Sequence, residues 1–265
     1  MALTGCRPPP TTPQEPAFPP HDDLVTITAF VDPESVCHQL AMDVLREVEA
    51  QRPARVELQI EDISPGAPGR ERWEAKGLDC MAVMIEGMTT VSWGPGKDGR
   101  TVSFLHPPGF CWMPEDLEAA VTAAMNEALR PAEAEEAEGV RPLSAEIRSR
   151  SIRVGNREEE TGQLVIDNEV VLEVTHKRGE LAPGERVAVA AKGLQEALEC
   201  PFTPNQIRIE PGRDGMALLV GEHQLLTASK TDAGAAGMRP QVLAERWRDL
   251  ICKALVMSAL RARSS

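Results

Sequence analysis

Residues 24–30 (LVTITAF) alternate apolar and polar positions, the period-two signature of a strand with one buried face. The period then changes: Val36, Leu40, Ala41, Val44, Leu45 and Val48 recur at helical spacing through Ala50. Asp32-Pro33-Glu34 ahead of them predicts an N-cap, a proline at the first helical position and an acid in the first turn. Residues 55–63 (RVELQIEDI) predict a second strand, and residues 69–76 a short helix closed by Gly77. The apolar run 80–85 (CMAVMI) suits a buried central strand. Residues 101–105 pair back across the turn 94–99, and residues 114–129 predict a helix with Leu117, Val121, Ala124, Met125 and Leu129 on one face.

Beyond residue 130 the pattern is interrupted and then resumes. Residues 163–174 (QLVIDNEVVLEV) read as two alternating strands about Asp167-Asn168, a hairpin turn signal. A helix follows over 183–199, with Val187, Ala190, Ala191, Leu194 and Leu198 as its apolar stripe. Residues 206–210 and 216–220 predict strands, and residues 224–228 (QLLTA) continue the sheet. A last helix runs from Pro240 to Leu260, with Leu243, Trp247, Leu250, Ile251, Ala254 and Leu255 facing inward. The fold class is therefore α/β (α+β): a β-α-β-α-β-β-α domain over 22–130, an acidic spacer over 131–142 and a ββαββα domain over 143–265. Residues 1–21 form a proline-rich leader that favours extended polyproline conformations.

Composition narrows the function. The net charge of −13 argues against nucleic acid, whose binding is driven by Lys and Arg on phosphates. Aromatics amount to 3 % with no tyrosine, so stacking platforms for bases are not expected. The sequence holds no P-loop, HExxH or GxSxG motif, and the glycines of 94–99 lead into a strand rather than a phosphate-binding helix. His21-Asp22-Asp23, at the end of the leader, reads as solvated polar residues. No pair of carboxylates is marked by spacing for acid–base work, so no catalytic residue is assigned.

The element order of 22–130 resembles the thioredoxin fold. Phe30 ends the first strand just before the helix that carries the active site in thioredoxins, and residues 77–82 (GLDCMA) stand where that family runs through a glycine into a cis-proline. Two departures matter. Asp32, Pro33, Glu34 and Ser35 fill the positions of the CxxC dithiol, and Ala82 stands for the proline, so the resemblance implies the scaffold without dithiol exchange. Cys37 is expected beyond the first helical turn and within the apolar stripe, as a buried core thiol. An alternative remains open, in which Cys37, His38 and Cys80, with Cys111 and His106 nearby, bind Cu(I) or Zn²⁺ or perform single-thiol redox chemistry.

Leu3-Thr4-Gly5-Cys6 resembles the lipobox of bacterial lipoproteins, which implies diacylation of Cys6 and attachment to a membrane from outside the cytoplasm. Two acyl chains suffice for stable anchoring. The departure is the lack of a basic and apolar stretch before the box, so a cytoplasmic protein is the alternative. The C-terminal half loosely resembles an extracytoplasmic module found next to mechanosensitive-channel domains, carried by the hairpin, residues 221–226, Lys230-Thr231-Asp232-Ala233 and residues 243–247 (LAERW). That resemblance implies a protein partner in the cell envelope. In an oxidising compartment Cys200 and Cys252 are candidates for a disulfide. The expectation is an envelope lipoprotein that acts by binding or assembly, with no resident cofactor.

Overall fold

The computed structural model describes residues 24–95, 99–133, 143–153, 160–200, 202–203 and 206–263. Cys6, His21-Asp22-Asp23 and the glutamates of the spacer from Glu135 to Glu138 lie outside these residues. The architecture is mixed α/β.

In the first half, β1 (Val25–Val31) lies at the centre of a sheet of order β2-β1-β3. It runs parallel to β2 (Val56–Asp62), in the register Val25 to Val56, and antiparallel to β3 (Ala82–Ile85), with Ile27 opposite Ile85. The parallel pair needs a crossover, which α1 (Val36–Gln51) supplies. α2 (Pro68–Ala75) follows β2. Gly69 lets α2 lie against that strand, because a Cβ there would come 2.4 Å from the carbonyl oxygen of Asp62. A hairpin of β4 (Thr90–Trp93) and β5 (Arg100–Ser103) then forms across the expected turn, and the chain beyond it returns to β3, where Val83 N–H donates to Phe104 O at 2.9 Å. α3 (Pro114–Met125) covers the sheet with Leu117, Ala120 and Val121 fully buried. It stops four residues before the expected end, because Glu127 takes a φ of +54° and Arg130 to Pro131, as the two-residue strand β6, pairs with β4.

The second half departs from ββαββα by gaining strands. β7 (Ile147–Arg153) precedes the expected hairpin of β8 (Glu160–Ile166) and β9 (Glu169–Val174), giving an antiparallel meander. Asp167 and Asn168 both have positive φ, as a two-residue hairpin turn requires. α4 (Pro183–Leu198) follows, and a second meander is built from β10 (Ile207–Gly212), β11 (Gly215–Val220) and β12 (His223–Ser229). The chain ends in the short α5 (Lys230–Ala235) and the long α6 (Pro240–Arg263). α4 packs on β7, β8 and β12, and α6 on β9, β11, β12 and also α1. Gly162 is required for the first of these contacts, because a Cβ there would lie 2.3 Å from the carbonyl oxygen of Pro183.

The α1–α6 contact joins the halves. Cys37 and Phe110 of the first half are buried in the same apolar cluster as Ile251, Cys252 and Leu255 of α6. Gly109, at φ +98°, lies against α6 where a Cβ would come 2.9 Å from that of Ala259. The first half keeps a core of its own around Ile27, Leu45, Phe104 and Trp112.

Candidate functional site

The chain between β1 and α1 folds differently from the sequence expectation. Asp32 is not the helix cap. Ser35 N–H donates to Asp32 O at 3.1 Å and Glu34 N–H to Asp32 Oδ1 at 2.9 Å, so Asp32-Pro33-Glu34 forms a separate turn. Ser35 is the N-cap and Val36 the first helical residue. Cys37 is therefore the second residue of α1, inside its first turn, where unpaired backbone N–H groups and the helix dipole favour a thiolate.

His38 is tied back to this turn. Its Nδ1 accepts from Asp32 N–H at 2.9 Å, which fixes it as a neutral, accepting nitrogen. Burial pushes its pKa down to about 4, with the Arg248 charge adding to that and Asp32 opposing it.

Around Cys37 the polar contacts converge on sulfur. Its Sγ lies 3.0 Å from Ser35 Oγ, which makes no capping bond to the helix. Cys252, from the middle of α6, lines the same cavity and lies in the same apolar cluster as Cys37. Hydrogen bonding to Cys252 draws the Cys37 thiol below its ordinary range; burial and the Asp249 charge oppose this, and Ser35 and Arg248 favour it. Cys252 is driven upward, since it serves as the proton-holding partner and is fully enclosed. Cys80, at the approach to β3, is pushed up to about 12 by burial, with Cys37 adding to the effect. The Cys37 thiol is thus shifted down while those of Cys80 and Cys252 beside it are shifted up.

A cavity of about 270 Å³ opens beside these groups, lined by Ser35, Cys37, His38, Cys80, Arg248 and Cys252 among others. Trp73 forms part of its wall; the indole donates to Cys80 O at 2.7 Å and carries the Arg70 guanidinium 4.5 Å above its ring.

The structure brings together three of the five thiol and histidine candidates, Cys37, His38 and Cys80, and leaves two at the margin. His106 is not among the cavity residues, and its backbone carbonyl accepts from the Trp112 indole at 2.9 Å. Cys111 is close enough for Cys80 to feel its charge but does not line the cavity. Cys200 is exposed past the end of α4 and Cys252 is buried in α6, and both are free thiols in the structure. Among the described residues no three His, Cys, Asp or Glu side chains are arranged to hold a metal ion. The contributions of Cys252 and Arg248 had no local signal in the sequence, since they depend on how α6 docks.

The protein is thus a mixed α/β chain in which a helix of the second half roofs a thiol-lined cavity in the first. A family described as a domain of unknown function (DUF8459) matches residues 163–258, from β8 into α6. No curated protein and no solved structure matches the chain. Among the described residues no helix is long and apolar enough to cross a membrane.

Proposed function

We propose that this is an extracytoplasmic accessory protein, held to a bacterial membrane through diacylated Cys6, which acts by binding a protein partner in the cell envelope. In this reading the first half is a thioredoxin-like domain without dithiol exchange at the usual place, and the second half is a contact module. The strand order β2-β1-β3, with its parallel and antiparallel pairings and a following α3, supports the thioredoxin-like assignment. One observation carries the functional part. The start of α1 presents Asp32-Pro33-Glu34-Ser35 in place of a dithiol, and Arg248 and Cys252 of the chain's own α6 lie over it.

The test uses the natural gene in its own bacterium, labelled with an alkyne fatty acid. Label in the wild type and none in Cys6→Ser supports the anchor; no label in the wild type overturns it. In parallel, the purified protein is expected to leave insulin disulfides intact in the presence of dithiothreitol. Reduction at a rate typical of thioredoxins would overturn the loss of dithiol exchange.

A second reading, chemistry at a single activated thiol, is favoured by a specific asymmetry. Cys37 is shifted toward the thiolate while Cys80 and Cys252 beside it are shifted away. The Cu(I) or Zn²⁺ version of this reading has no ligand cluster behind it among the described residues.

A further inference from the structure

The geometry points to Cys37 and Cys252 as a dithiol oxidised by small hydroperoxides, with Cys37 as the attacking sulfur and Cys252 as the resolving one. The inference rests on the thiol-based reading of the site and adds to it the partner sulfur and the substrate class. Three features carry it.

The two thiols belong to α1 and α6, which pack on each other, and both lie in one apolar cluster and line one cavity, so the fold already brings them to the same place. Cys37 has Ser35 Oγ at 3.0 Å and sits in the N-terminal turn of α1, whereas Cys252 lies in the middle of α6. That assigns the roles. The substrate class follows from size. Both sulfurs are buried, at 8 % and 2 % exposure, and they are reached through a cavity of about 270 Å³. That space admits hydrogen peroxide and small organic hydroperoxides.

The chemistry balances with the peroxide as the only co-reactant. The Cys37 thiolate attacks one peroxide oxygen, a sulfur–oxygen bond forms, the O–O bond breaks, and the departing alkoxide or hydroxide takes up the proton that Cys37 released. The sulfur is now a sulfenic acid, oxidised by two electrons, and the peroxide is reduced to an alcohol or water. Cys252 then displaces the hydroxyl from the Cys37 sulfur, and its own proton leaves with that hydroxyl as water. The product is a Cys37–Cys252 disulfide that ties α1 to α6. Ser35 and the first turn of α1 hold negative charge at the sulfur during the first step.

The experiment treats the fully reduced protein with hydrogen peroxide or tert-butyl hydroperoxide and maps the cysteines by mass spectrometry. The expected result is loss of the Cys37 thiol about tenfold faster than that of exposed Cys200, ending in a Cys37–Cys252 linked peptide. Cys252→Ser and Cys252→Ala are expected to accumulate a dimedone-trappable sulfenic acid at Cys37, while Cys37→Ser yields none. The wild-type map needs no variant, so misfolding of a substituted core leaves the test intact. Two outcomes overturn the proposal: peroxide loss at Cys37 no faster than at Cys200, or a disulfide from Cys37 to Cys80 or to Cys200 instead. Oxidation by glutathione disulfide but not by peroxide would overturn the substrate class while leaving the thiol-based reading standing.

Discussion

Two of the polar centres buried among the described residues are built on opposite principles. At the first, Arg186 and Asp232 sit at 3 % and 6 % exposure between α4, α5 and the ends of β9 and β12. The guanidinium makes two bonds to the carboxylate, at 3.0 and 2.7 Å, and two more to the carbonyls of His176 and Thr227. The carboxylate also accepts from Ser229 N–H at 3.1 Å and Ser229 Oγ at 2.7 Å. Burial acts to raise the Asp232 pKa, but Arg186 and Ser229 outweigh it and hold the group ionised. At the second, Cys37 gathers donors on a sulfur beside open space, and two further thiols stand within its field. A buried charge held by several hydrogen bonds to its counter-ion and to backbone carbonyls fixes geometry, while a buried nucleophile beside a cavity retains a reaction.

If this division is right, the largest stability effect belongs to the ion pair and not to the thiols. Asp232→Ala leaves Arg186 charged, enclosed and without its carboxylate, and also removes the acid that closes the start of α5. The expected loss is about 3–5 kcal/mol, the usual consequence of removing one partner of a buried pair. Urea unfolding followed by circular dichroism measures it. Cys252→Ala, read the same way, should cost clearly less; equal losses would break the contrast.

The second effect is on pH dependence. His38 is neutral in the folded protein with its pKa pushed down to about 4, while in the unfolded chain it protonates near its ordinary value of 6.5. Between those two pH values the unfolded state binds more protons. Stability is therefore complete above about pH 6.5 and declines as pH falls toward 4, by about 3 kcal/mol in all. His38→Asn retains an acceptor for Asp32 N–H and cannot titrate. The difference between wild-type and His38→Asn denaturation curves, measured from pH 7 to pH 4, should show that decline. Parallel curves would mean that His38 does not stay neutral.

Much of the scaffold was legible because its elements bury one face each. The alternation of 24–30, the helical stripe from Val36 to Val48 and the Asp167-Asn168 turn all fall where the sequence pattern puts them. β7 was not legible, since of its seven residues only Ile147 and Ile152 are apolar and the rest are Arg or Ser on an exposed strand. The start of α1 was misplaced because Asp32-Pro33-Glu34 carries a strong N-terminal signature, whereas the structure uses the aspartate for a turn and for the His38 ring. That shift of a few residues moved Cys37 from an inert place to the first helical turn. Of the site itself, Cys37, His38 and Cys80 could be picked out by residue type and neighbourhood. Cys252 and Arg248 could not, because their position follows from the packing of α6 on α1, a contact between segments at opposite ends of the chain.

The smallest change in stability should accompany one of the clearest changes in chemistry. Ser35 stands at the N-cap of α1, a position where a hydroxyl ordinarily satisfies a helix N–H, yet it makes no such bond and instead lies 3.0 Å from Cys37 Sγ. Ser35→Ala therefore removes little from the helix, and the expected stability loss is under about 1 kcal/mol. What it removes from the sulfur is a hydrogen bond that strengthens as the thiol ionises. The Cys37 thiol titration should move upward, and alkylation of Cys37 by iodoacetamide at neutral pH should slow about tenfold, the order that one charge-assisted hydrogen bond supplies. Asp232 is far from that sulfur in connectivity, so a conservative Asp232→Asn should leave the alkylation rate of the still-folded protein unchanged. If instead Ser35→Ala lowered stability strongly and left the alkylation rate alone, the hydroxyl would belong to the helix. The thiol centre would then be a second structural knot like that of Arg186.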